Sequence, residues 1–158
     1  CTRSHEYVFH LSKNPDYFYD VDAVRQPCKH NRWGKSIVTD ASVLEGGRNR
    51  RTVWEVGLQP FSGAHFAVMP EALVEPCVLA GSARGDLVID PFAGSGTVGV
   101  VALRHGRRFV GTDLKQEYVD LAVDRIAREV AALGLATPDT VSSQPVQLGL
   151  FASSGVSE

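Results

Sequence analysis

Several features are scarce or absent in this sequence, and each absence narrows the possible functions. Its 158 residues include only three cysteines, which are too few and too odd in number for a disulfide framework. Metal binding is not expected, because no second His/Cys pair stands at zinc-site spacing from Cys28–His30 or His5–His10. No apolar run approaches the roughly 18 residues of a membrane span, and no signal-peptide pattern is present. We therefore expect a cytoplasmic protein with no membrane partner.

The composition is that of a folded domain. Hydrophobic residues make up 44% and charged residues 22% of the chain, so the apolar side chains suffice for one core. The net charge is −2, which gives no overall basic signature for nucleic acid. Residues 135–158 are rich in Ser, Thr, Pro and Gln and are predicted to be a disordered tail. The first residue, Cys1, admits two interpretations, a processed N-terminal nucleophile or a trimmed start, and we favour the trimmed start.

The stretch 86–113 predicts a strand, a glycine-rich turn, a helix and a second strand. An apolar run at 87–89 is typical of a strand buried on both faces, and small residues then break it into a turn. Residues 97–103 are compatible with a helix that stops at Gly106, and the second strand follows at 109–113. This is half of a nucleotide-binding α/β unit, whose ligand is expected at the carboxyl ends of the strands.

Periodicity predicts further elements on both sides of this stretch. His5–Leu11 and residues 17–19 favour two strands of a hairpin. Pro70 is well placed as the first residue of a helix, which Pro76 should kink or end. Residues 116–133 predict a long amphipathic helix.

The turn contains a literal G-x-G-x-x-G, formed by Gly94, Gly96 and Gly99. This pattern alone is weak and admits an NAD-binding interpretation. Four residues separate the strand from the first glycine, however, and Asp90 places a carboxylate where it repels a pyrophosphate but suits a cation. S-adenosylmethionine carries an ammonium and a sulfonium and no phosphate. Asp113 follows Asp90 by 23 positions (113 minus 90), close to the about 20-residue offset at which an acidic residue meets a ribose hydroxyl.

These motifs resemble those of a known family. DPFAGSGT followed by RRFVGTD closely resembles the cofactor motifs of the amino-group DNA methyltransferases, which modify adenine at N6 or cytosine at N4. HFAVMPEALVEPCVLAGS resembles the additional cofactor motif of the permuted members, the beta class. SHEYVFHLSKNPDYFYD resembles the strand region that ends their catalytic half. The resemblance covers roughly residues 4–131, and it implies an α/β, Rossmann-like fold and site-specific DNA methylation, as in restriction-modification.

The resemblance also implies S-adenosylmethionine as the cofactor and a division of the chain. Residues 1–134 would be the C-terminal part of a methyltransferase domain, with the cofactor-binding half at about 63–134. Three of the implied cofactor-binding residues lie beside the methionine end, although Phe66 could equally be a core residue. The implied cofactor-binding residues are His65, Phe66, Pro70, Asp90, Phe92, Gly94, Ser95, Gly96, Thr97 and Asp113.

Residues 21–52 occupy the place of the target-recognition region in the permuted family. This stretch contains seven basic and three acidic residues. Its basic side chains would neutralise phosphates and hold double-stranded DNA in register. We predict DNA contacts by Arg48, Arg50 and Arg51, with an ordinary solvated loop as the alternative.

The catalytic tetrapeptide of the family, Asp/Asn/Ser-Pro-Pro-aromatic, is absent, because no two prolines are adjacent in this sequence. Residues 14–17 resemble it at a glance, but Asp16 takes the place of the second proline. We therefore assign no catalytic residue. We expect the C-terminal half of a methyltransferase, inactive alone, whose N-terminal half is truncated or lies on a partner chain. The sheet would then be partial, with unpaired groups beside the strand at 86–90.

Three alternatives stay open. The chain could be a catalytically inactive cofactor- or DNA-binding remnant, or an NAD-binding oxidoreductase fragment. It could also be an RNA or small-molecule methyltransferase, because the fold alone does not choose the substrate. The target base, adenine or cytosine, is open as well, because the absent tetrapeptide would indicate it.

Overall fold

The computed structural model describes residues 5–26, 47–57 and 68–134. The predictions made for the C-terminal tail, for most of the basic loop, and for His65 and Phe66 lie outside these residues. Within the described residues, no helix is both long and apolar enough to cross a bilayer.

Helices and strands alternate in the main described segment. A short 3₁₀ turn at Asp22–Val24 precedes them. Their bounds are α1 Glu71–Gly81, β1 Leu87–Asp90, α2 Thr97–Arg104, β2 Arg108–Gly111 and α3 Gln116–Ala132. This order confirms the α/β arrangement predicted for residues 86–113 and the long helix predicted after it.

The sheet is small and parallel. β1 pairs with β2 in register, from Leu87 opposite Arg108 to Asp90 opposite Gly111, and α2 is the crossover that parallel strands require. In the described part of the chain the sheet has two strands, as expected for a partial Rossmann-like sheet. Both strands end at the same edge, so the segments that follow Asp90 and Gly111 are brought together there.

The core lies on both sides of α2. Val101, which is 1% exposed, packs with Val74 and Val78 of α1, and the adjacent Val100 packs with Ile126 and Val130 of α3. Successive helical residues point about 100° apart, so neighbouring valines of α2 can reach different helices. The three helices are thereby fixed relative to the turn that begins α2.

Gly99 allows α2 to approach α3 and β2 closely. A Cβ at this position would lie 2.7 Å from Ile126 Cδ1 and 2.7 Å from Phe109 Cδ1, which is far inside van der Waals contact. The last glycine of the G-x-G-x-x-G pattern is therefore explained by packing between elements.

A buried arginine joins α1 to the start of β2. Arg107 is 7% exposed, and its guanidinium donates to the carbonyl of Ser82 at 2.6 Å, to Ser82 Oγ at 3.2 Å and to the carbonyl of His105 at 2.7 Å. Hydrogen bonds to a charged group each stabilise by about 1.5–3 kcal/mol. Arg107 thus offsets the cost of its own burial and satisfies a carbonyl beyond the C-terminus of α1.

The predicted hairpin near the N-terminus is wrong. Residues 5–19 form no strand, and no described residue pairs with them in a ladder. A strand is defined by such a ladder, and the apolar pattern around Phe9 and Tyr17 does not supply a partner. This segment is attached at its end, where the Asp20 amide donates to the carbonyl of Ala80 at 2.9 Å.

Two further predictions are corrected. Leu87 and Ile89 are 45% and 64% exposed, so β1 is covered on one face only and is not buried on both. Helix α1 continues through Pro76 to Gly81. Pro76 is buried, and its packing accompanies the loss of a single helical hydrogen bond.

Candidate cofactor-binding site

The glycine-rich turn between β1 and α2 has a fixed backbone geometry. The Ala93 amide donates to the carbonyl of Thr112 at 2.8 Å, and the Gly96 amide donates to the carbonyl of Ala93 at 2.8 Å. Gly94 and Gly96 have φ values of +49° and +75°, in the left-handed region that favours glycine. A Cβ on Gly96 would also lie 2.9 Å from the Cβ of Ala122. Glycine is therefore required at both positions for backbone conformation, and at Gly96 also for contact with α3.

Two carboxylates flank this turn. Asp90 Oδ1 accepts the Phe92 amide at 2.9 Å. Asp113 accepts the Gly94 amide at 3.0 Å through Oδ2 and the Lys115 amide at 3.0 Å through Oδ1. Asp113 thus ties the turn after β1 to the segment after β2. Each carboxylate oxygen has two lone pairs, so both groups keep capacity for a ligand.

A cavity of about 230 Å³ opens beside the turn, at the carboxyl end of β1. Its walls combine aromatic and aliphatic side chains with hydroxyls, one carboxylate and turn backbone. The lining residues are Val68, Met69, Asp90, Phe92, Ala93, Gly94, Ser95, Thr97, Val98, Tyr118 and Leu121. This composition, largely apolar with a few convergent polar groups, is typical of a small-molecule site.

The structure brings most of the predicted cofactor residues to this cavity. Gly96 and Asp113 hold the turn from behind it. Pro70 is the N-cap of α1, next to the lining residue Met69, so the helix starts one residue later than predicted. The predicted residues in the cavity wall are Asp90, Phe92, Gly94, Ser95 and Thr97.

Four lining residues were not predicted from the sequence. Val68 and Met69 precede α1, and Tyr118 and Leu121 belong to α3. The periodicity of α3 placed Tyr118 and Leu121 on its core-facing side, which they share with the cavity. Tyr118 lies five positions after Asp113 (118 minus 113), and this short spacing is the signal that could have found it.

An ion-pair network lies beside the cavity. Arg104 of α2 forms two hydrogen bonds with Glu129, Nε to Oε1 at 2.8 Å and Nη2 to Oε2 at 3.0 Å, and a third with Glu71 Oε2 at 2.7 Å. The bonds from Arg104 hold the pKa of the Glu129 carboxyl below its ordinary value and raise the pKa of Arg104. This network joins α1, α2 and α3 around their polar edges.

Replacement of Glu129 by glutamine is expected to lower the free energy of unfolding at pH 7 by about 0.5–1 kcal/mol, the value of a partly exposed ion pair. A carboxyl whose pKa is lower in the folded state stabilises above its unfolded pKa of about 4.3. That contribution is lost as the pH falls through the folded pKa. Urea unfolding at pH 7 and below pH 4 measures the effect, with the exposed Asp124→Asn as the control. An equal deficit at both pH values would contradict the assignment.

The predicted DNA-contacting arginines differ in their surroundings. Arg48 and Arg51 are exposed. Arg50 is half-buried, and its guanidinium carbon lies 4.5 Å from the ring centroid of Trp54, in cation–π geometry. The Trp54 indole donates to the carbonyl of Arg51 at 2.7 Å. Arg48 and Arg51 are therefore the better candidates for phosphate contacts, whereas Arg50 packs on Trp54.

A parallel βαβ unit with a glycine-rich turn and two carboxylates at its strand ends defines a nucleotide-binding α/β protein. Comparison with known proteins identifies the class more closely. Residues 1–124 match the model of the N6/N4 DNA methylase family. The chain belongs to this family.

Curated relatives support the same membership. Type II methyltransferase M.Cfr9I from Citrobacter freundii is 49% identical over 128 residues, which are 81% of this chain and 38% of that protein. Type II methyltransferase M.SmaI from Serratia marcescens is 46% identical, over 80% of this chain and 39% of that protein. The chain thus spans about two fifths of the length of these relatives.

Among solved structures, the DNA modification methylase TTHA0409 from Thermus thermophilus, complexed with S-adenosyl-L-methionine, aligns with a TM-score of 0.37 and 49% identity. The alignment covers 39% of this chain and 26% of that one.

Proposed function

We propose that this chain is the cofactor-binding portion of a DNA methyltransferase, and that it binds S-adenosylmethionine in the cavity beside the glycine-rich turn. The methyl group would go to the exocyclic amine of adenine or cytosine in double-stranded DNA. Family membership supports the reaction class, and the geometry of the turn supports the location of the cofactor.

One observation carries the proposal. Asp90, Phe92 and the glycine-rich turn surround one cavity, and Asp113 is bonded to that turn through Gly94. A carboxylate at the mouth of the turn suits the positive groups of S-adenosylmethionine. Phe92 and Tyr118 offer aromatic faces for an adenine ring, and Asp113 is available for a ribose hydroxyl. The residues present therefore fit this cofactor better than a pyrophosphate.

S-adenosylmethionine, when bound, supplies an activated methyl group on its sulfonium. The residues of this chain would bind and orient it, and would exclude water from its apolar side through Val68, Met69 and Leu121. Positioning of this kind accounts for much of the rate in transfers between two bound molecules. The target base would be flipped out of the duplex to reach the site.

The groups that hold the base are proposed to come from outside this chain. The family's Pro-Pro-aromatic tetrapeptide does not occur in the sequence, and the cavity of about 230 Å³ is smaller than the about 300–1,000 Å³ of a complete ligand pocket. Phe92 is 82% exposed, so one side of the site is open. A second segment, covalently joined or on a partner chain, would close this side and contribute the tetrapeptide.

DNA would be held through its phosphates by Arg48 and Arg51. Both side chains are exposed and lie near Trp54, whose indole hydrogen bond fixes the backbone at Arg51. Such contacts set register and orientation without reading the sequence.

Calorimetric titration of S-adenosylmethionine into the purified chain tests the proposal. We expect saturable binding of one molecule per chain, because the turn, Asp90 and Asp113 are already assembled. NAD is the matched control, since it shares the adenosine but carries a pyrophosphate. Binding of NAD without binding of S-adenosylmethionine would replace the proposal with the dinucleotide interpretation, and a folded chain that binds neither would contradict both.

A further inference from the structure

Arg125 of α3 reaches the glycine-rich turn from the side opposite Asp113. Its Nη1 lies 2.9 Å from Thr97 Oγ1, 3.2 Å from Ser95 Oγ and 3.3 Å from the carbonyl of Ser95. Its Nη2 donates to Glu71 Oε1 at 3.1 Å. The Arg125 side chain is 18% exposed, so these bonds are largely shielded from water and salt.

Glu71, the first residue of α1, anchors two arginines with different destinations. Its Oε2 accepts Arg104, which continues to Glu129, whereas its Oε1 accepts Arg125, which continues to the turn. Both arginines therefore join the helices, but among the hydrogen bonds of the described residues only those of Arg125 reach Ser95 and Thr97. This difference separates general stabilisation from an effect on the turn.

We propose that Arg125, oriented by Glu71, is a positioning residue for the cofactor-binding turn. The inference rests on the proposed function and adds a residue that lies outside the cofactor motifs. Asp113 fixes the first part of the turn at Gly94, and Arg125 fixes the second part at Ser95 and Thr97. Both hydroxyl residues line the cavity, so Arg125 controls the atoms that would meet the cofactor without lining the cavity itself.

The turn needs such an anchor because its backbone is intrinsically permissive. Gly94 and Gly96 lose more conformational freedom on ordering than any other residue type would. A ligand that had to order them on binding would bind more weakly, whereas a preformed turn avoids this cost. The positive charge of Arg125 is balanced by Glu71, which prevents a net repulsion of a cationic cofactor.

The test compares Arg125→Gln with Arg104→Gln in the full chain. Each substitution removes one bond to Glu71, and Arg104→Gln also removes both bonds to Glu129. We expect Arg125→Gln to raise the Kd for S-adenosylmethionine about tenfold or more, because charge-assisted hydrogen bonds to the turn are lost. Arg104→Gln should lower the Tm at least as much while leaving the Kd within about twofold of the parent value. Similar Kd changes in the two variants would overturn the proposal.

Amide hydrogen exchange provides a readout that needs no ligand. The Gly96 amide, bonded to the carbonyl of Ala93, should exchange at least about tenfold faster in Arg125→Gln and should be unchanged in Arg104→Gln. If the parent chain fails to bind S-adenosylmethionine but this difference is seen, the proposed function fails while the positioning role stands. Equal exchange in all three proteins would overturn the positioning role.

Thr97→Val is a milder variant that keeps the arginine and its pair with Glu71. It removes one acceptor of Arg125, and it should also speed exchange at Gly96. Combining it with Arg125→Gln should give less than the sum of the two effects, because they break the same contact. Full additivity would show that Arg125 does not act through Thr97.

Discussion

Replacement of Asp113 by alanine is expected to weaken the binding of S-adenosylmethionine by at least about 100-fold. The substitution removes two hydrogen bonds from a charged acceptor, one to the Gly94 amide and one to the Lys115 amide. Each such bond is worth about 1.5–3 kcal/mol, and the proposed ribose contact is lost as well. The turn and the start of α3 would both lose their common anchor.

Calorimetry with Asp113→Ala and the matched control Asp124→Ala measures this effect. Asp124 is exposed on the same helix that follows Asp113, so its removal changes the net charge equally without touching the turn. Thermal unfolding should show that both variants remain folded at the temperature of titration. A folded Asp113→Ala protein with unchanged affinity would remove Asp113 from the site.

A cofactor analogue without the ribose 2′-hydroxyl separates the two roles of Asp113. If Asp113 binds the ribose, the analogue should bind more weakly than S-adenosylmethionine to the parent chain and equally weakly to Asp113→Ala. If Asp113 acts only on the turn, the penalty for the missing hydroxyl will be the same in both proteins.

The βαβ unit could be predicted from the sequence because its signals are local. The apolar run ending at Asp90, the glycines of the turn and the helical stretch from Thr97 all lie within a few residues of the element they define. The cavity position followed from the same stretch, because ligands bind at the carboxyl ends of parallel strands. Gly99 has a packing role that the motif alone does not separate from a ligand role.

The remaining features depend on contacts between distant residues. The segment around Phe9 has the residue types of a strand but no ladder partner among the described residues, so propensity alone gave the wrong element. The exposure of Ile89 depends on what covers the second face of the sheet. In the sequence, Arg125 is one more charged residue of an amphipathic helix, and its contacts with Glu71 and Thr97 form only when the three helices converge.

The sheet face turned away from the helices leads to the second large prediction. Leu87, Ile89 and Val110 are 45%, 64% and 43% exposed on it. Parallel sheets are normally covered on both faces, and apolar patches of this kind mark interaction surfaces. We infer that this face and the open side of the cavity are completed by the same second segment, which brings the Pro-Pro-aromatic tetrapeptide beside the cofactor.

The 158-residue chain alone is therefore expected to transfer no methyl group to DNA. Joined to the part of M.Cfr9I that lies outside the matched segment, it should transfer labelled methyl groups to double-stranded DNA at least about a thousandfold above background, because the base and the methyl donor are then held in line. Amides of β1 should gain protection from exchange in the joined protein as their strand edge is paired. Asp113→Ala in the joined protein is the control and should abolish transfer. Methyl transfer by the chain alone would contradict the division of labour, as would a joined protein that binds cofactor and DNA but remains inactive.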